Sequence, residues 1–130
     1  MHINLESDYA VRIVYQMRRL EGRIGAHAVA QAAGVSERFA LKILGKLTAA
    51  GVVNSFKGAH GGYELARPAG EITLRQVIEA VEGPYRFSRC VGEDYDCAHA
   101  ASCDCPFHGV FDEITRTVVE KLDAVTFDQF

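Results

Sequence analysis

All four cysteines of this 130-residue chain lie in one run, C-V-G-E-D-Y-D-C-A-H-A-A-S-C-D-C-P-F-H, from Cys90 to His108. They stand at 90, 97, 103 and 105, with His99 and His108 and the carboxylates Glu93, Asp94, Asp96 and Asp104 among them. A hydrophobic core does not need its thiols gathered in this way. A soft transition metal does, because several thiolates must converge on one point. The same residues admit other fates. Disulfides need an oxidising compartment, and the opening M-H-I-N-L-E-S-D lacks the basic segment and apolar run of an export signal. Cys103 and Cys105 are also too close in sequence to pair easily with each other. Inert buried thiols are a second alternative. A closed zinc site is a third, since zinc accepts the same Cys/His set. An iron–sulfur cluster is the reading we prefer over all three.

The elements that must position such a loop follow from composition and pattern. At 48% hydrophobic and 24% charged residues, the chain has the make-up of one soluble domain with a real core. No apolar run approaches the roughly 20 residues of a membrane span. With neither signal nor span, a cytoplasmic protein is expected. The net charge of −3 hides a division. Residues 1–70 hold nine Lys/Arg against five Asp/Glu, a balance of +4, whereas residues 71–130 hold five against twelve, a balance of −7. A basic front and acidic back suit a protein that meets a polyanion at one end.

Residues 5–20 predict a first helix, with Ala10, Ile13, Val14, Met17 and Leu20 at helical spacing. Ser7 or Asp8 is the expected cap, and Gly22 the expected stop. Residues 25–34 predict a short Ala-rich helix closed by Gly34. Ser36 then caps a helix that runs to Gly51 with the stripe Phe39, Ile43, Leu44, Leu47. Helix, short Gly-containing turn, helix is the helix-turn-helix pattern, whose second helix enters the major groove by its N-terminal residues. Those residues are Ser36, Glu37 and Arg38, with Lys42 further along. Strands at 52–56 and 63–66 flank the turn K-G-A-H-G-G, a hairpin whose tip, with Lys57 and His60, is placed to reach a minor groove or phosphates. In that order the pieces make a winged helix. Thr73 to Gly83 predicts a further helix with Leu74, Val77, Ile78 and Val81 inward. A long last helix over 107–125 carries Phe111, Ile114, Val118, Leu122 and Val125 as one stripe. So long a stripe with little chain left to cover it suggests a partner helix from a second subunit, the alternative being its own domain.

The stretches S-E-R-F-A-L-K-I-L-G-K-L-T-A-A-G-V-V, K-G-A-H-G-G-Y-E-L-A-R-P, E-I-T-L-R-Q-V-I-E-A-V-E-G and L-D-A-V-T-F-D-Q-F resemble the Rrf family of dimeric bacterial winged-helix regulators. The likeness covers nearly the whole chain. It implies a homodimer joined through the long helix and binding to pseudo-palindromic promoter DNA. In cluster-bearing members three loop cysteines hold the cluster with a fourth ligand. In IscR-like members that ligand is a histidine three positions after the last cysteine, which His108 matches. In NsrR-like members it is an aspartate of the first helix from the other subunit, which Asp8 matches. The family separates its cysteines by five residues each time; here the gaps are six, five and one. Counting 21 positions back from Thr126 in the closing L-D-x-x-T pattern lands on Cys105. The resemblance therefore puts Cys90, Cys97 and Cys105 in the ligand roles, in a loop about three residues longer than usual. Cys103 is then surplus: a replacement for Cys105, a fourth thiolate or a free reactive thiol.

The expectation is a mostly α protein with a small β-hairpin. It has a winged helix-turn-helix domain (1–83), a cysteine-rich loop (84–106), and a dimerisation helix with its tail (107–130). Its expected function is that of a transcription regulator whose operator affinity depends on a 2Fe-2S or 4Fe-4S cluster sensing redox state, nitric oxide or iron–sulfur supply. The alternative is a cluster-free regulator that uses thiol oxidation, zinc, a metabolite or a partner protein. A small electron-transfer protein would leave residues 36–51 and the wing without a use. Catalysis has no support from a Gly-x-Ser-x-Gly or Gly-x-x-x-x-Gly-Lys motif.

Overall fold

A computed structural model describes residues 3–93, 95, 97 and 105–130. The described elements are α1 (Leu5–Leu20), α2 (Ala26–Ala33), α3 (Glu37–Ala49), β1 (Val53–Phe56), β2 (Gly62–Leu65), α4 (Leu74–Glu82) and α5 (Pro106–Asp123), with single 3-10 turns at Ala69–Glu71 and Arg89–Val91. The winged helix with a long closing helix is therefore the fold. β1 and β2 pair antiparallel, Val53 opposite Leu65 and Phe56 opposite Gly62.

Local chemistry accounts for the boundaries. Ser36 caps α3 by accepting a hydrogen bond from the Phe39 N–H. Thr73 and Gln76 form a reciprocal capping box at the start of α4. Gly34 ends α2 at φ 67°, a backbone that side chains disfavour, and so makes the tight turn between α2 and α3. At α1 the cap differs from expectation. Asn4 accepts from the Ser7 N–H, so neither Ser7 nor Asp8 caps the helix. Ser7 is instead fully buried, and its hydroxyl donates to Glu82 Oε1, which also accepts from the Asn4 N–H at 3.0 Å. Sequence pattern could not see this partner, 75 residues away. The helix ends on Glu21, at φ 52°, one residue before the expected Gly22.

One core joins Ala10, Ile13, Val14 and Met17 of α1 to Val29, Ala30 and Ala33 of α2. Ala40, Ile43, Leu44 and Leu47 of α3, Val52 and Val53, Ile72, Val77 and Phe127 complete it. Burying each large aliphatic side chain contributes about 1.5–3 kcal/mol. Phe39, expected inward, is 43% exposed and meets Tyr9 edge-on at 5.8 Å, while Ala40 takes the inward place. The closing segment folds back on the first unit. The Leu74 N–H donates to Val125 O at 2.8 Å, and Phe127 is 5% exposed.

Candidate DNA-reading surface and cysteine loop

The helix-turn-helix is α2 and α3, and its second helix opens with Glu37 and Arg38 directly after the Ser36 cap. Glu37 Oε2 lies 3.2 Å from His27 Nδ1, a link between the two helices at the surface. Arg38, Lys42 and Lys46 follow at spacings of four, one line along α3. They are not equivalent. Lys42 and Lys46 both donate to Glu6 in the first turn of α1, and Lys46 also reaches Val81 O at 3.4 Å. The Lys42 and then the Lys46 ammonium hold the Glu6 carboxyl below its usual value. Arg38 makes no hydrogen bond or ion pair with the described residues, and neither does Lys57 in the wing. The basic front is thus partly consumed inside the chain: Arg12 pairs with Asp8, and Arg67 donates to Gly51 O and Gln76 Oε1 at the base of the wing.

Sequence reasoning passed over two residues of the wing. Ile24, in the link between α1 and α2, exchanges two hydrogen bonds of 2.8 Å with Tyr63 and so adds a third rail to the hairpin. Beside it, Arg23 lies on the wing itself. A β-branched residue between glycines (Gly22 and Gly25) was the available signal for the first. Nothing in the pattern marked the second.

The cysteine segment leaves α4 and returns as α5, and its near arm is bonded to both. The Tyr85 N–H donates to Glu79 Oε1 at 2.9 Å. The Phe87 N–H donates to Thr115 Oγ1 at 3.1 Å, and that hydroxyl donates to Phe111 O at 2.8 Å, which makes Thr115 the buried residue of α5. Phe87 packs on Phe111 with ring centres 5.4 Å apart, and Phe107 stacks on Phe111 at 6.3 Å. Arg86 crosses Gly92, where a Cβ would sit 2.1 Å from its Nη1. Arg75 donates to Asp123 and pairs with Glu79, tying α4 to the end of α5, and both acids raise its pKa, Asp123 the more strongly.

The expected ligands fall as follows. Cys90 lies in the 3-10 turn, half-buried, with its thiol donating to Ser88 Oγ at 3.3 Å. Cys97 is half-buried and Cys105 exposed, and all three are free thiols. Cys105 is the N-cap residue of α5, and the His108 N–H donates to Cys105 O at 3.2 Å, so these two share one helical turn. Cys103, Asp94, Asp96, His99 and Asp104 lie outside the described residues. Asp8 sits in the first turn of α1, paired with Arg12. Among the described residues no three His, Cys, Asp or Glu side chains are gathered into a metal-holding group. In kind the donors, thiols and an imidazole, suit a soft metal.

A helix-turn-helix with a β wing beside it defines the class: a winged-helix DNA-binding regulator. The family model described as Rrf2, iron-dependent transcriptional regulator, matches residues 3–130, and the chain belongs to that family. Protein aau3 of Rhizobium meliloti is 38% identical over 105 residues, 79% of this chain and 68% of its own. CymR of B. subtilis, described as a global cysteine regulator, superposes with a TM-score of 0.75 at 27% identity, over 98% of this chain and 94% of its own. The T. potens IscR structure shares the fold with a TM-score of 0.74 at 24% identity, covering 98% of this chain and 84% of its own. The family is one of transcription regulators, not enzymes, and DNA is the partner. No helix among the described residues is long and apolar enough to cross a membrane.

Proposed function

We propose that two copies of this chain bind promoter DNA together and that their grip is set by an iron–sulfur cluster held in the cysteine loop. Cys90, Cys97 and Cys105 are the residues that would hold it, with His108 or Asp8 as fourth ligand and Cys103 as a further thiolate. When bound, such a group supplies a centre that oxidants, nitric oxide or iron scarcity can alter. The observation that carries the reading is mechanical. The arm bearing Cys90 is hydrogen-bonded to both α4 and α5 and packs the Phe87 ring on Phe111 of α5, so reordering the loop strains the joint between the reading domain and the last helix.

The second copy is supported by the α5 stripe. Phe111, Ile114, Val118 and Leu122 are only half-buried, and Phe107 and Val110 are 63% and 50% exposed; Val125, expected in the same stripe, lies beyond the helix end at Asp123. A groove of about 420 Å³ runs beside them, lined by Ile3, Ile78, Pro84, Tyr85, Val118 and Leu122. In a dimer two recognition helices must lie about 34 Å apart to meet successive major grooves. A small tilt at the joint then changes affinity, provided the loop's state differs in free energy between the two attitudes. On the DNA side, Ser36, Glu37 and Arg38 open the groove contact, Lys57 and His60 supply the wing, and Lys42 joins by exchanging Glu6 for a phosphate.

A second reading keeps the DNA and dimer parts and uses the thiols themselves. The three free described cysteines and the likeness to CymR favour it. Anaerobic purification, with absorbance and native mass, separates the two. A coloured, iron-bearing dimer whose operator binding changes on Cys90→Ala or Cys97→Ala supports the cluster. A colourless, iron-free protein whose binding ignores those changes ends it.

A further inference from the structure

Arg23 belongs to neither helix of the helix-turn-helix and to neither strand of the wing, yet it touches the wing at three places. Its guanidinium carbon lies 3.5 Å from the centre of the Phe56 ring, at the end of β1. Its Nη1 donates to the His60 carbonyl, in the tip, at 3.2 Å. Its Nε stands 3.8 Å from the Glu64 carboxylate, in β2. We propose that Arg23 is the positioning residue that sets the attitude of the wing on DNA.

The need for such a residue is physical. A hairpin of two four-residue strands is marginal by itself. Ile24 steadies its base through Tyr63, but the tip, residues 57–61, lies beyond the last strand pair, Phe56 with Gly62, and its one backbone bond among the described residues is its own turn, Gly61 N–H to Gly58 O at 2.9 Å. That turn is tightly drawn, since a Cβ on Gly61 would lie 2.6 Å from Phe56 O. Among the described residues, Arg23 is the side chain that holds the tip's backbone. The ion pair with Glu64 contributes little, because the Arg23 and Glu64 side chains are 40% and 34% exposed. The stacked face and the directed N–H carry the work, and both need a planar fork that lysine lacks. With one face on Phe56 and its N–H groups turned to His60 and Glu64, Arg23 acts through the tip. Lys57, free of described partners, is the cation it presents.

This assignment rests on the reading that the wing tip meets the DNA backbone. The test uses the intact protein and a duplex that the protein has selected from a random pool. Binding is titrated against salt for Arg23→Ala, Arg23→Lys, Lys57→Ala and the Arg23→Ala/Lys57→Ala pair, with hydroxyl-radical footprints and melting curves. Arg23→Ala should lose roughly tenfold in affinity, about one unit of salt slope and the protection flanking each half-site. The half-site centre and the melting temperature should stay as they were. Arg23→Lys should not restore the flank, and in the Lys57→Ala background Arg23→Ala should cost roughly twofold or less. Additive losses, rescue by lysine, a lowered melting temperature with uniform loss of protection, or no effect of Arg23→Ala beside a clear effect of Lys57→Ala would each overturn it. A neutral Lys57→Ala, with flank and slope unchanged, would remove the wing reading itself and the assignment with it.

Discussion

The reading domain and the cysteine loop with α5 are built by opposite rules. In the first, α1 to α4 bury one face each against a common core, and nearly every helix end is capped by its own neighbours. In the second, α5 over 18 residues buries only Thr115, Cys105 gives it no side-chain cap, and the described part of the loop is tied by a few hydrogen bonds and three aromatic rings. The first half is held mainly by its own apolar stripes meeting one another, with Phe127 of the closing segment added to them. The second leaves its stripe half-covered and the described cysteines, Cys90, Cys97 and Cys105, half-buried or exposed, as in a part completed by something else. On the function proposed above, the first is the rigid surface that reads a groove and the second the marginal segment that a bound group would reorder.

Substitutions can sharpen or break that contrast. The largest effect is expected from Leu44→Ala, at a fully buried position of α3, which should cost about 2–5 kcal/mol in urea unfolding. Phe107→Ala in α5, at an exposed site, should leave the unfolding of the isolated subunit within about 0.5 kcal/mol. Equal losses at both sites would erase the distinction. Next comes Arg38→Ala, the unpaired cation at the mouth of α3, which should weaken specific DNA binding by about 1–3 kcal/mol without moving the melting temperature. Unchanged binding and salt dependence would contradict groove entry by this end. Ser36→Ala should cost about 1 kcal/mol of stability by leaving the Phe39 N–H without its acceptor, as read by thermal melting.

The smallest effect concerns pH. Glu6 has its folded pKa below the ordinary 4.5 because Lys42 and Lys46 favour the charged form. Its contribution is therefore complete above pH 4.5 and lost as pH falls through the lowered value. Glu6→Gln should flatten the acid limb of the stability curve in that range. A limb of unchanged slope would show that the pairs at Lys42 and Lys46 are not held in solution.

What could be read from sequence divides along the same line. The ends of α2, α3 and α4 were legible because their signals are local: Gly34 in a left-handed turn, Ser36 three residues before its donor, Thr73 reciprocated by Gln76. The inward stripe of α1 was legible from periodicity for Ala10, Ile13, Val14 and Met17, but not for Leu20, which is exposed at the end of the helix. Misplaced features had distant partners. Ser7 looked like a cap because nothing nearby revealed Glu82 as its acceptor. Phe39 looked like core because hydropathy does not tell a buried aromatic from one that rests on Tyr9 at the surface. Lys42 read as a groove contact, with nothing in the pattern to show that α1 brings Glu6 against it. The closing segment read as a tail, while Phe127 completes the core, 55 residues from Ile72, whose carbonyl accepts its N–H at 3.3 Å. For the cysteines, residue type and spacing raise metal chemistry as an expectation. Whether any of them meet at one centre depends on contacts that spacing does not encode.

The proposition that joins the two halves is that the state of the loop sets the affinity of the reading head. It is tested most directly by titrating one selected duplex with a single anaerobic preparation of the dimer, before and after its iron is removed by a chelator, at fixed salt. The account predicts a change in affinity of roughly 5- to 150-fold, the range of typical allosteric coupling, and no such change in a Cys90→Ala/Cys97→Ala variant. Iron-bearing and iron-free protein that bind the duplex equally would contradict it.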